Sequence, residues 1–200
     1  MAFVHLLDID DLPEGPRRVA ESGQEQYGQL LNTWRSLFHR PEIFESYLPF
    51  LRSVAGPGAV DQEIKDLSAL LVAWLNGCRY TVSHRWTGAL RGGADPDRLL
   101  DVVRGRWDRF DPPLRCALEL AREVTSSPPV VAPSRQAGLL SGTVREDVST
   151  HFTEPQIVEL TMSISMWNAL SRFHRLMQFE LDMPAPPGPV DRELLQGKDL

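Results

Sequence analysis

Cysteine is scarce in this 200-residue chain: Cys78 and Cys116 are the two it has. Two thiols make no disulfide framework, and a chain long enough to bury a sizeable core needs no covalent staple. The compartment this implies is the cytoplasm. A basic surplus is also missing. Lys and Arg number 21 against 27 Asp and Glu, a formal net charge of −6, so general nucleic-acid binding, which depends on neutralising phosphates, is disfavoured. No stretch reaches the roughly 20 apolar residues a membrane span requires. The longest candidate, Leu67 to Leu75, is interrupted by Ser68. Neither nucleic acid nor a membrane is therefore expected as a partner. The opening Met-Ala-Phe-Val-His lacks a basic segment and soon turns acidic at Asp8, Asp10 and Asp11, which argues against a secretion signal. The histidines, His5, His39, His84, His151 and His174, include no pair at metal-ligand spacing. No metal and no cofactor are expected. Convincing β-hairpin alternation is absent, which leaves an all-α fold class.

What is present is helical punctuation. Apolar residues at helical spacing (Tyr27, Leu30, Leu31, Trp34, Leu37, Phe38) predict one helix from Gln24 to Phe38, and Pro41 opens a second from Glu42 to Val54. Asp61 is a candidate cap for a third helix running to Leu75, and Asn76-Gly77 reads as its end. A fourth starts near Cys78 and stops at Gly92-Gly93. Asp95-Pro96 and Asp111-Pro112 each pair a cap with a proline at the first helical position, predicting helices through Val103 and to about Val124. Another helix is expected from Arg135 to Thr150. Thr153-Glu-Pro-Gln156 has capping-box spacing and starts the longest helix, to about Leu181. We read residues 1–183 as one domain and residues 184–200, rich in proline and charge, as an extended or partly disordered tail. A weak internal echo links Ile64-Lys-Asp66-Leu-Ser68 to Ile157-Val-Glu159-Leu-Thr161, with His84-Arg85 and His174-Arg175 downstream.

The residues around Cys78 can carry chemistry. A cysteine at a helix N-terminus faces partial positive charge that favours a thiolate, and Arg79 and Arg85 could lower its pKa further. Cys78, Thr81, Val82 and Arg85 share one helix side, with His84 about a third of a turn away. If the two helices fold back antiparallel across Asn76-Gly77, Asp66 could approach the first turns of the second. A lone cysteine in a helical protein is ordinarily a small buried apolar residue, and that is the reading for Cys116, set in Leu114-Arg-Cys-Ala-Leu-Glu-Leu.

The segment from Ile64 to Arg85, with its acidic residue at Asp66 followed by Asn76-Gly-Cys78-Arg-Tyr80-Thr-Val-Ser-His84-Arg85, resembles the core of the carboxymuconolactone decarboxylase and alkylhydroperoxidase-D-like superfamily. Arg40-Pro-Glu42 upstream and Glu159 to Arg172 downstream are also similar to it. In the peroxidase branch the pattern is an acid, then Asn-Gly-Cys-x-Tyr-Cys-x-x-x-His. The resemblance implies an antiparallel helix pair carrying the motif, a homo-oligomer (trimer or hexamer), and a relay acid at Asp66. It places the first thiol on Cys78. The second falls on Thr81 and the relay histidine on Arg85, with His84 one position early. Thr81 cannot resolve a sulfenic acid as a disulfide, so a two-cysteine peroxidase (peroxiredoxin) cycle is disfavoured.

The expected function is a cofactor-independent enzyme acting on a small carboxylated or peroxidic substrate. Its chemistry is either decarboxylase-like proton transfer or that of a one-cysteine alkylhydroperoxidase. Cys78, Asp66 and His84 are the candidate catalytic residues; Arg85, Thr81 and Tyr80 are the candidate substrate-binding residues, Arg85 through bidentate contact with a carboxylate. The alternative is a non-catalytic helical oligomer that kept the fold and lost the relay.

Overall fold

The computed structural model describes residues 2–126 and 140–196. The fold is all-α. Among the described residues there are ten α-helices and no strand: α1 (Glu14–Tyr27), α2 (Asn32–Leu37), α3 (Pro41–Ala55), α4 (Gln62–Leu75), α5 (Arg79–Arg91), α6 (Pro96–Val103), α7 (Pro112–Ser126), α8 (Gly142–His151), α9 (Glu154–Met177) and α10 (Gly188–Leu195).

α4 is the central helix. Leu67, Leu70, Leu71, Val72, Ala73 and Trp74 are all buried, so it is apolar nearly all round, the signature of a helix enclosed by neighbours. α5, α6, α7 and α9 surround it. Asp61 caps its start, accepting from Glu63 N–H at 2.8 Å. Its end is set by Gly77, which takes the left-handed region at φ 61°. The chain reverses there into α5, so the two helices run antiparallel and Cys78 becomes the N-cap of α5. Asp95 caps α6 through Asp97 N–H at 3.0 Å, and Gln156 Oε1 accepts from Thr153 N–H at 2.9 Å at the start of α9.

Three expectations change. The helix expected from Gln24 to Phe38 is two, α1 and α2, because Gly28 at φ 79° ends α1 in the left-handed region and Leu31 is extended before α2. α9 stops at Met177, four residues early, with Gln178 left-handed at φ 54°. The tail is not extended throughout: α10 docks on α5, with Val190 fully buried and Arg79 paired with Asp191. Of the helix expected at 135–150, residues 135–139 lie outside the described residues; the described part is α8.

Lys65 of α4 is 1% exposed. Its ammonium donates to Glu159 Oε1 of α9 at 2.5 Å and to the Gly56 carbonyl. Glu159 Oε2 also accepts from Ala59 N–H at 2.6 Å. This pair ties the α3–α4 loop to α9. Removing one partner of a buried pair strands the other charge, so Glu159→Ala is expected to cost about 3 kcal/mol in chemical denaturation, while the apolar double variant Lys65→Met/Glu159→Leu recovers most of it. A single variant as stable as the parent would show that the pair carries no stability.

Candidate functional site

Two layers of polar side chains lie between α5 and α9. The first begins at Cys78, which is 1% exposed. Its Sγ lies 3.0 Å from Thr81 Oγ1, because residues three apart share a helix face. Thr81 Oγ1 is 2.8 Å from His174 Nδ1 on α9, and His174 Nε2 is 3.0 Å from Thr33 Oγ1 on α2. Thr33 meets Tyr80 Oη through both its hydroxyl and its N–H, each at 3.3 Å. Tyr80 Oη donates to Asp182 Oδ2 at 2.6 Å. Asp182 also accepts from Asn32 N–H at 2.7 Å, and its Oδ1 lies 2.5 Å from His84 Nε2. The segment after Gln178 brings Asp182 back over α5, where Ser83 Oγ donates to Pro184 O at 3.0 Å.

Burial pushes the Cys78 thiol up, against the Thr81 hydrogen bond and the more distant Arg175 charge. The resting group is a thiol, not the thiolate that its N-cap position suggests. Arg79 does not act on it; that side chain makes two hydrogen bonds to Asp191, at 2.6 and 3.0 Å. Burial lowers His174 to about 3, helped by the nearby charges of His84 and Arg85, so its imidazole is neutral. Burial of Asp182 acts to raise its carboxyl, but the His84, Tyr80 and Asn32 donors outweigh it and hold the group below the ordinary carboxylate range.

The second layer is Arg85 and Asp66. Arg85 stacks on Trp167 of α9, 4.1 Å from the ring centroid, and its buried Nε has no hydrogen-bond partner. Burial lowers its pKa, against the charge of Asp66. Asp66 is raised by burial, with Arg85 opposing. It lines a cleft of about 190 Å³ with Gln62, Ala89, Gly92 and Gly93. It therefore faces the last turns of α5, not the first turns as expected, because the antiparallel pairing sets the start of α4 against the end of α5.

The six candidate residues thus divide. Cys78, Tyr80, Thr81 and His84 join one network; Asp66 and Arg85 form a neighbouring pair, and the Arg85 charge reaches both Asp66 and His174. Sequence reasoning missed Thr33 and Asp182. Their only signal was position, since both lie far from the motif in sequence. His174 was visible as part of the His-Arg echo. Cys116 sits in the main apolar core, separate from the Cys78 cluster, with its thiol raised to about 11 by burial and nearby acids.

Residues 2–7 strap over the network. Ala2 and Leu6 pack on the Cys78, Tyr80 and Phe179 cluster. Phe3 N–H donates to Met177 O at 2.8 Å, and Arg35 Nε donates to Leu7 O at 3.0 Å. A cleft of about 540 Å³ runs between this strap and Asn32, Arg35 and Glu180. Among the described residues no group of three His, Cys, Asp or Glu side chains is placed to hold a metal ion, and no helix is long and apolar enough to cross a membrane.

This helical arrangement is shared with solved structures. One is an alkylhydroperoxidase AhpD core, an uncharacterised peroxidase-related protein from Ralstonia eutropha JMP134. It has a TM-score of 0.75 and 15% identity, with 96% of each chain covered. A peroxidase-related protein from Silicibacter sp. TM1040 gives a TM-score of 0.74 at 17% identity, covering 96% of this chain and 95% of that one. The debrominase Bmp8 gives 0.75 at 18%, covering 97% and 96%. No curated protein matches the sequence. Residues 41–123 match the carboxymuconolactone decarboxylase family. That match covers 83 of the 200 residues, and the solved structures share the chain's all-helical fold across nearly its whole length.

The lowered pKa of His174 predicts a pH dependence. Above its unfolded value of about 6.5, His174 is neutral in both states. Below it the unfolded chain takes up a proton that the native site refuses until about 3, so stability falls with pH across that window. Urea denaturation between these limits should show a shallower decline for His174→Gln than for the parent. Equal slopes would mean that His174 titrates normally.

Proposed function

We propose that this protein is a cofactor-independent enzyme whose working group is the single thiol of Cys78, acting on a small substrate that carries an electrophilic or peroxidic centre and an anionic group. The observation that carries this reading is the hydrogen-bonded connection of the Cys78 thiol, through Thr81 and His174, to an ionised carboxylate. A merely space-filling cysteine has no use for such a connection. Arg85 supports the anionic group: a partly buried guanidinium with a free Nε suits a carboxylate, and it lies one helical turn beyond Thr81.

Thiol chemistry without a resolving partner favours reactions that return Cys78 to its starting state in every turnover. Thr81 occupies the position of the second thiol, and Cys116 belongs to another cluster. Peroxide reduction at this site would leave a sulfenic acid and require an external thiol to reach under the strap. Covalent or proton-transfer catalysis needs no such co-reactant. The substrate panel is therefore a carboxylated lactone, an alkyl hydroperoxide with added thiol, and a halogenated pyrrole with added thiol. The last is included because the debrominase Bmp8 was crystallised as a cysteine-to-alanine variant with 2,3,4-tribromopyrrole.

Steady-state kinetics test the assignment. Cys78→Ser should lower kcat by about 100-fold or more, and Arg85→Gln should raise KM about tenfold with a smaller effect on kcat. A second reading rests on Asp66, whose raised carboxyl pKa suits a general acid or base beside Arg85. In that case Cys78→Ser keeps most of the turnover and Asp66→Asn loses it. Retention of activity by both variants would end both readings and leave the non-catalytic alternative.

Assembly belongs to the same reading. Ile43 and Phe50 are exposed on α3, and Val158 (at 67%) and Met162 on α9, and large exposed apolar side chains favour burial against another subunit. Light scattering is expected to return a multiple of the 22.5 kDa chain mass; a monomer mass would remove the oligomer from the proposal.

A further inference from the structure

The geometry points to a proton relay that runs from Cys78 through Thr81, His174, Thr33 and Tyr80 to Asp182, with His174 exchanging tautomers as the thiol ionises. The inference rests on the proposed role of Cys78 and assigns five residues that act through it. In this role they position and move one proton, Thr81 and Tyr80 included, in place of the substrate contact first expected of those two.

A consistent direction for every hydrogen bond can be drawn from the carboxylate end. Asp182 is ionised and can only accept, so the Tyr80 hydroxyl proton is committed to it, at 2.6 Å. The Tyr80 oxygen accepts from the Thr33 N–H and, in the assigned resting arrangement, also from the Thr33 hydroxyl, whose proton is spent there, each at 3.3 Å. Thr33 Oγ1 is left to accept, so His174 carries its proton on Nε2, at 3.0 Å. A neutral imidazole with Nε2–H has a lone pair on Nδ1. That lone pair takes the Thr81 hydroxyl proton at 2.8 Å, and Thr81 Oγ1 in turn accepts from the Cys78 thiol at 3.0 Å. The resting state is thus fully ordered, with each proton pointing toward the carboxylate.

Reversal of all the bonds ionises the thiol. The Sγ proton passes to Thr81 and the Thr81 proton to His174 Nδ1. The Nε2 proton passes to Thr33, the Thr33 proton to Tyr80 and the Tyr80 proton to Asp182 Oδ2. One proton leaves sulfur and one arrives at the carboxylate. Every group between them ends neutral, and no oxidant or cofactor takes part. In the product the thiolate accepts from Thr81, Thr81 from His174 Nδ1–H, and His174 Nε2 from Thr33, so no polar group is orphaned in either state. The contact between Thr33 and Tyr80 is the longest, and it is the step that must shorten during transfer. A histidine whose pKa stays far below neutral suits this role because it never has to carry a charge; it only changes which nitrogen bears hydrogen.

The test uses the full chain with imidazole-labelled histidine. In the parent at neutral pH, nitrogen NMR should report His174 as the Nε2–H tautomer, switching to Nδ1–H as alkali ionises Cys78, which ultraviolet thiolate absorbance follows in the same sample. Thr81→Val and Tyr80→Phe should each lower the thiolate fraction at fixed pH by about tenfold and abolish the tautomer switch, although the Tyr80 hydroxyl bonds to Thr33 and Asp182 and not to Cys78. Thr81→Ser, which keeps the hydroxyl, should restore both. A His174 tautomer that does not change as Cys78 ionises overturns the relay, as does a Tyr80→Phe titration identical to the parent's. Those results would leave the enzyme reading standing if Cys78→Ser has lost turnover. Conversely, a Cys78→Ser variant that keeps turnover ends that reading, while the tautomer switch still decides the relay.

Discussion

The carboxylate of Asp182 is the group on which the arrangement depends. It is buried enough that, without partners, an ionised form would be prohibitively costly. Its three donors come from separate parts of the chain: Asn32 N–H opens α2, and Tyr80 and His84 stand one turn apart on α5. Asp182 itself lies after the left-handed Gln178, on the segment that leads to α10. The positions of α2, α5 and the C-terminal segment are therefore mutually conditional. Because a carboxylate accepts and never donates, it also imposes an order on everything bonded to it, and that order reaches the thiol at the far end.

At that far end, two opposing effects act on Cys78, and their sizes decide its state. A helix N-terminus favours an anion by roughly 0.3–1 kcal/mol, up to about 2 in partly buried geometry. Removing an ion from water costs several kcal/mol even after relaxation. Cys78 is the N-cap of α5 and is also sealed beneath Ala2, Leu6 and Phe179. Burial wins, and the thiol stays protonated at rest. Position on a helix is readable in a sequence, but enclosure by residues from both ends of the chain is not.

The same contrast separates what the sequence made legible from what it did not. The Asp61 and Asp95 caps, the Asn76-Gly77 turn and the all-α class are local, set by side chains within a few positions of one another, and they stand as read. Gly28 was legible in principle, yet the apolar spacing across it suggested a continuous helix. The spacing is real; it places Tyr27 and Trp34 edge to face at 5.3 Å, from two helices and not one. In the site, Cys78 with Thr81 was readable as a shared helix face. Thr33 and Asp182 were not, and His174 showed only as part of the His-Arg echo, since each reaches the network through tertiary packing of α2, α9 and the segment beyond α9. Asp66 was assigned to the wrong end of α5 because its spacing from Cys78 gives separation along the chain. The antiparallel turn converts nine helical residues into about 14 Å of distance from that turn.

The two altered motif positions acquire a physical meaning from this geometry. In the peroxidase pattern that the segment resembles, positions 81 and 85 carry a thiol and a histidine. Here Thr81 offers a hydroxyl that can both accept and donate, which a resolving thiol needs to do only while reduced. The imidazole comes from across the helix interface, at His174, and leaves position 85 free for a guanidinium. Arg85 would be poorly placed beside Cys78 itself, where its charge would drive the thiol toward permanent ionisation. About two turns farther along, stacked on Trp167, its charge helps keep His174 neutral. Threonine at 81 and arginine at 85 are thus complementary: one carries a proton past a neutral histidine, and the other favours that neutrality.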